Sequence, residues 1–250
     1  MSDAPYRCVA HVARRLFRAL DLRIDVTGQE HIPATGGGVV VMNHTGYLDF
    51  ALAALPFWRE RGRLVRFMAK QEVFTNRVTG PLMRAMHHIP VNRAAGAISF
   101  RAAVEVLRAG ELVGIFPEAT ISRSFCLKEF KSGATRMARA AGVPLIPVAL
   151  WGSQRVWTKD RKPTIRAARH IPISITIGAP LRPGRGAAPD IELVNAMNEL
   201  LDVTRARYPE APGNDPWWVP AHLGGTAPTP ERAAELDAEE QRERARRRPA

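Results

Sequence analysis

Cysteine is almost absent from this chain: Cys8 and Cys126 lie far apart and match no metal-ligand spacing. That excludes a disulfide scaffold and a Cys-based metal site and makes a reducing compartment the expectation. No stretch approaches 18 uninterrupted apolar residues, so no transmembrane helix is expected. The N-terminus has neither the apolar core nor the small-residue cleavage site of a signal peptide. A G-x-S-x-G nucleophile elbow is missing too, which disfavours a serine lipase or thioesterase. Internal repeats are not evident. The protein is therefore expected in the cytoplasm, free or bound to a membrane surface.

Positive charge is in excess, with a formal net charge of +12. Residues 226–250 hold six Arg and six acidic residues, which cancel, so the excess lies upstream. It concentrates in Arg59 to Lys70, Arg123 to Arg139 and Arg155 to Arg169. Such a surface suits a polyanion: a nucleic acid, an anionic membrane or a phosphorylated substrate. Charge alone does not choose among them, and a solvated basic face explains it equally well.

Strand-like and helix-like segments alternate for about 200 residues, which argues for one α/β domain. Residues 6–20 (YRCVAHVARRLFRAL) place Val9, Val12, Leu16 and Leu20 on one face, either core-packed or an interfacial anchor. Val39 to Met42 reads as an interior strand and Leu112 to Phe116 as a strand. Leu48 to Leu55 reads as a helix that Pro56 helps to end. Ile98 to Leu107 is helical with Gly110 as its stop, and Ser132 to Ala141 is a helix capped by Ser132 and stopped by Gly142. Pro147 within Leu145 to Leu150 argues for an edge strand or a bulge. Trp217 and Trp218 dock on the domain or at a membrane interface. The divisions expected are an amphipathic helix region (1–25), a main domain (26–222) and a disordered or loosely helical tail (223–250), dispensable for chemistry.

Residues 39–50, VVVMNHTGYLDF, raise the chemical question. His44 ends an apolar strand and Asp49 follows five residues later. With seven His in the chain, roughly 0.25 such pairs arise by chance, so spacing alone is weak. Placement is stronger. Residues five apart on a straight helix point about 140° away from each other. They meet only if a turn intervenes, and Thr45-Gly46 supplies one. Strand ends are where open α/β sheets keep their sites. There a carboxylate can fix a histidine's tautomer and let it take a proton. IFPEAT (115–120), IPVNR (89–93) and VPLIPVAL (143–150) are further strand-end or apolar blocks, each readable alone as an ordinary turn or strand.

Together these residues resemble the 1-acylglycerol-3-phosphate acyltransferases, a glycerolphosphate acyltransferase family, over about residues 25–180. NHTGYLD (43–49) looks like the first block, whose His and Asp are the catalytic pair, here His44 and Asp49 beside Asn43. IPVNR looks like the second, whose Arg, here Arg93, binds the acceptor phosphate. FPEAT looks like the third, usually FPEGTRS, which shapes the acceptor site and here contributes Pro117, Glu118 and Thr120. VPLIPVAL, with Pro147, looks like the apolar fourth block near the acyl site. Lys70 in FMAKQEVF and the stretch FKSGATRMA (130–138) also look like the family. Two departures stand out. Ala119 replaces the usual Gly, and Ile121 replaces an Arg that often holds the acceptor phosphate; Arg123, or Lys128 and Lys131, would have to take its place.

The resemblance implies a mixed central β-sheet flanked by helices. It implies acyl transfer from acyl-CoA or an acyl carrier protein to the free hydroxyl of lysophosphatidic acid, giving phosphatidic acid. No metal and no cofactor beyond the acyl thioester are required, because a thioester is already activated. The expected partners are the lysophospholipid, the donor and an anionic membrane at the inner face of the cell membrane, with no nucleic acid. The same reaction on another lysophospholipid or a glycolipid keeps its place because of Ile121. A non-catalytic basic module binding membrane or nucleic acid explains the charge but not four blocks in order. His87 and His88, adjacent and so divergent, and Cys126 read as structural.

Overall fold

The computed structural model describes residues 3–92, 96–184 and 189–246. Its helices are α1 (Ala4–Ala19), α2 (Asp49–Arg61), α3 (Gln71–Thr75), α4 (Thr79–Ala85), α5 (Gly96–Arg108), α6 (Gly133–Ala141), α7 (Ser153–Val156), α8 (Pro189–Ala206) and α9 (Pro230–Arg246). The strands are β1 (Arg23–Thr27), β2 (Gly38–Met42), β3 (Val65–Lys70), β4 (Ile89–Val91), β5 (Leu112–Ile115), β6 (Leu145–Trp151) and β7 (Pro172–Ile177). They form one seven-stranded sheet in the order β1-β7-β6-β2-β5-β3-β4. Every pairing is parallel except β6 with β7.

β2 sits at the centre, and its side chains alternate between two apolar layers. Val40 and Met42 join Leu52 and Phe57 of α2 and Phe17 of α1. Val39 and Val41 join Val104 of α5, Met137 of α6 and Met197 of α8. Full burial on both faces is what a near-continuous Val run encodes, and each such side chain contributes about 1.5–3 kcal/mol. Because β6, β2, β5, β3 and β4 run the same way, their carboxyl ends share one edge of the sheet. Both neighbours of β2 come from later in the chain, so the chain reverses its winding direction there. This is the crevice where α/β sheets hold ligands.

Three prolines sit inside regular elements. α2 runs through Pro56, with Leu55, Pro56 and Phe57 buried, so packing on the sheet outweighs one lost hydrogen bond. It stops instead at Gly62, whose φ of 64° lets its N–H reach Trp58 O and Arg63 N–H reach Phe57 O, satisfying the last carbonyls. Pro81 lies in the first turn of α4, where no N–H is needed. Pro147 is in an interior strand, not at an edge, and it lies where the pairing of β6 with the chain after β7 bulges by one residue. Its carbonyl accepts from Gly178 N–H at 2.8 Å. N and C=O of one residue leave a strand on the same side, so the missing donor faces the segment just beyond the end of β7, where the pairing slips by one residue between Val148–Ile177 and Leu145–Leu181.

Gly110 and Gly142 stop α5 and α6 with φ of 86° and 70°. Ser132 occupies the N-cap position of α6, but its hydroxyl makes no capping bond. In α1 the apolar face divides: Tyr6 and Phe17 are buried, whereas Val12 and Leu16 are exposed. Trp218 is buried beside Trp151, Phe125 and Val219, which docks the 208–220 segment on the domain. Residues 230–246, expected to be disordered or loosely helical, form the regular helix α9, which buries Asp237 against the domain. No helix of the described residues is long and apolar enough to cross a membrane.

Candidate active site

β2 ends at Met42, and the next residue anchors the strand end. Asn43, buried, donates to Leu150 O at 3.0 Å and accepts from Leu150 N–H at 2.8 Å, fastening the loop to β6. The chain then turns so that His44 and the first residue of α2 meet. His44 Nδ1 lies 3.0 Å from Asp49 Oδ2. Asp49 is fully buried, and the same oxygen accepts from Thr45 N–H at 2.7 Å and Gly46 N–H at 2.8 Å. A carboxylate in a helix's first turn, fed by two backbone donors, has little freedom to rotate. As an acceptor it fixes the proton on Nδ1 and leaves Nε2 of His44 as the basic atom. The His44 side chain is 20% exposed, enough to meet a substrate.

Gly46 makes the tight turn possible by proximity. A Cβ there would lie 2.9 Å from Trp157 O and 3.0 Å from Ser153 O. Thr158 Oγ1 donates to Thr45 O at 2.6 Å, and Tyr47 N–H donates to Trp157 O at 3.0 Å. The 153–158 segment thus braces one side of the histidine loop.

The 116–122 segment braces the other. Phe116 stacks on the imidazole with centroids 4.0 Å apart and planes 20° from parallel. Glu118, buried, accepts from His44 N–H through Oε1 at 2.8 Å and from Lys128 N–H through Oε2 at 3.2 Å. Ser122 N–H donates to His44 O at 2.8 Å. Pro117 is buried, and its carbonyl receives Lys131 N–H. Ala119 takes φ of 58°, the left-handed region. This accounts for the glycine expected at that position; an alanine there costs about 1–2 kcal/mol. Ile121 is buried.

Burial pushes the Glu118 carboxyl up to about 8, against the downward pull of its two backbone donors. A carboxyl raised in the folded state lends stability that is fully present below its ordinary value of 4.5 and is lost as pH rises through about 8. Glu118→Gln keeps the shape and removes the proton. Thermal unfolding midpoints measured from pH 5 to 9 are expected to decline less steeply in the variant than in the parent. Parallel curves would refute the assignment.

The remaining expected site residues are placed as follows. Lys70 ends β3 at the same sheet edge and is exposed. Thr120 Oγ1 accepts from Lys159 Nζ at 3.0 Å. Lys131 is exposed, its amine 3.9 Å from an exposed Glu129. Pro147 is interior to β6 and buried. Arg93 lies outside the described residues. Arg123, read as a replacement phosphate ligand, is buried and already engaged by Asp160, Asp237 and Glu240, so it does not face an open site in this arrangement. Trp151, at the end of β6, is buried. The stacking role of Phe116, the bracing by Ser153 and Thr158 and the position of Lys159 were missed. Only Phe116 carried a signal, standing directly before Pro117 at the strand end.

His88 and Cys126 have structural surroundings. His88 Nδ1 accepts from Phe67 N–H, and burial pushes its pKa down to about 3. Burial raises the Cys126 thiol, so its basic neighbours do not make it a thiolate. Among the described residues no three His, Cys, Asp or Glu side chains gather as a metal ion would need.

Known proteins share both the sequence and the fold. A family model described as Acyltransferase matches residues 23–151. A 1-acyl-sn-glycerol-3-phosphate acyltransferase of Bacillus subtilis is 30% identical over 72% of this chain and 84% of its own length. A chloroplastic 1-acyl-sn-glycerol-3-phosphate acyltransferase of Brassica napus is 25% identical over 77% of this chain, which spans 55% of that longer protein. The crystal structure of the acyltransferase PlsC from Thermotoga maritima superposes with a TM-score of 0.66 at 23% identity, covering 82% of this chain and 81% of that one, and so shares the fold. With more than half of its length inside the family model, and a bacterial relative matched along most of both chains, the protein belongs to the acyltransferase family.

Proposed function

We propose that this protein transfers an acyl chain from a thioester, acyl-CoA or acyl carrier protein, to the free hydroxyl of lysophosphatidic acid, forming phosphatidic acid. The observation that carries the reading is the His44–Asp49 hydrogen bond at the carboxyl end of the central strand. Nε2 of His44 takes the hydroxyl proton as that oxygen attacks the thioester carbon. The tetrahedral intermediate collapses by breaking the C–S bond, and the proton on His44 goes to the departing thiolate. Phe116 holds the ring plane, and Asp49 balances the charge of the imidazolium. The names of the relatives support the acceptor.

An apolar cavity between α1, α2 and β3 is lined by Val9, Ala13, Phe50, Ala54 and Trp58, and Phe50 follows Asp49 directly. Its mostly apolar lining matches the chemistry of an acyl chain, for which it would have to widen. Val12 and Leu16 of α1, with Tyr47 and Trp157 beside the histidine loop, are exposed apolar groups. Together with the basic excess they support docking on the anionic inner face of the cell membrane.

Ile121 and the engagement of Arg123 favour a second reading, in which the acceptor is another lysophospholipid or a glycolipid. Product analysis by mass spectrometry, with several acceptors and both donor types offered together, decides between them. Phosphatidic acid is expected as the main product. Fast turnover of another acceptor with none of lysophosphatidic acid would replace the first reading by the second, and no acyl transfer to any acceptor would end both.

A further inference from the structure

The acids of α9 converge on three cations beside the histidine loop. Asp237 Oδ1 lies 2.9 Å from Lys159 Nζ and also meets Arg123 Nη1; its Oδ2 lies 2.5 Å from Lys128 Nζ. Glu240 Oε2 lies 3.0 Å from Lys159 Nζ and 3.1 Å from Arg123 Nη2. Arg123 also pairs with Asp160, whose side chain is 62% exposed. The side chains of Arg123 and Lys159 are 7% and 9% exposed. Three cations held this close, two of them this far from water, need an anion.

What holds the anion in place is charge. Along α9 only Ala233 and Asp237 are buried, so the helix offers the domain almost no apolar contact. A helix held by ion pairs rather than apolar burial can leave once another anion takes over its cations. The cations, moreover, sit on the two segments that brace the active site. Arg123 follows Ser122, which donates to His44 O, and Lys128 N–H donates to Glu118, which holds His44 N–H. Lys159 follows Thr158, which donates to Thr45 O, and its amine also reaches Thr120 Oγ1.

We propose that Arg123, Lys128, Lys159 and Thr120 form a binding site for a phosphate group, and that Asp237 and Glu240 of α9 are its tethered internal occupant, which an incoming phosphate displaces. Two parallel donors of a guanidinium, two ammonium groups and a hydroxyl match the several acceptor oxygens of a phosphate at least as well as they match two carboxylates. The tether weakens the apparent affinity for any external phosphate, because the site is competent only in the fraction of molecules with α9 released. The phosphate belongs either to a lipid headgroup or to a soluble nucleotide such as the end of a CoA donor. That choice rests on the proposed acyl-transfer function; the exchange itself does not.

The test uses the full chain and no turnover. Adenosine 3′,5′-bisphosphate, and vesicles of phosphatidylglycerol against phosphatidylcholine, are added at matched ionic strength. Trypsin cleavage at the α9 arginines and equilibrium binding are followed. At least one phosphate probe is expected to expose α9 in the unmodified protein, and D237N/E240Q is expected to bind that probe at least about tenfold more tightly. Adding Lys159→Gln to that variant should weaken binding again. Exposure by the nucleotide alone assigns the site to the donor, and exposure by phosphatidylglycerol vesicles alone assigns it to the lipid; either supports the proposal. Protection of α9 against both probes, release no greater than with sodium chloride, or equal affinities in parent and variant would overturn it. The same assays on His44→Ala separate this outcome from any failure of the acyl-transfer reading.

Discussion

His44→Ala is expected to lower acyl transfer by about 10²–10⁴-fold while leaving the fold intact. The direction follows from the geometry: Nε2 is the basic atom, and no second His, Lys or free carboxylate stands beside the ring to replace it among the groups that contact the loop. Retention of the fold follows as well. The imidazole is partly exposed, its hydrogen bond goes to Asp49, and Asp49 keeps two backbone donors when the ring is gone. Initial rates on purified protein, with circular dichroism as the control for folding, check both halves. A fully active variant would refute the general base and restore the non-catalytic basic module as the better account.

Asp49 is expected to behave differently, and the difference separates orientation from scaffolding. Asp49→Asn can still present one oxygen to the three donors around it, but it brings no charge to balance an imidazolium. Activity is expected to fall by a factor on the order of 10²–10⁴. Asp49→Ala removes the acceptor altogether and strands the N–H groups of Thr45 and Gly46 in a buried turn. At about 1–3 kcal/mol for each such orphan, this variant should also lose roughly 2 kcal/mol or more of stability. Denaturant unfolding beside rate measurements reads both effects. An Asp49→Asn enzyme at parental rate would show that the carboxylate only holds the turn.

The contact between His44 and Asp49 was legible because its signals are local. A β-branched run bounded by Asn and His marks a buried strand and its end, and Thr45-Gly46 marks the turn that lets position 44 meet position 49. Helical spacing in α5, with Gly110 behind it, was equally local. What the sequence hid depends on partners far along the chain. Pro147 reads equally as an edge or a bulge residue until the chain beyond β7 is seen to slip its pairing by one residue just there. Pro56 reads as a helix end until the burial of its neighbours is known. Val12 and Leu16 share a helical face with Val9, yet the domain covers only part of that face. The acids of α9 balance its arginines in composition and so read as a solvated tail; only the fold brings Asp237 to cations 78 to 114 residues away.

The pairing of β1 with β7 bears on how the chain is made. Arg23 of the first strand is in register with Pro172 of the last, 149 positions downstream in the sequence. At about 5–20 residues per second, a ribosome takes roughly 7–30 seconds to deliver that partner. For that interval β1 is complete but has no partner strand, while β2 to β6 can already assemble around the histidine loop. The sheet therefore closes last at the β1 edge, by a long-range contact of the slow kind. Until then β1 lies unpaired at the open edge, while α1 already packs on α2 and α4 and Tyr6 bonds Val65 O of β3.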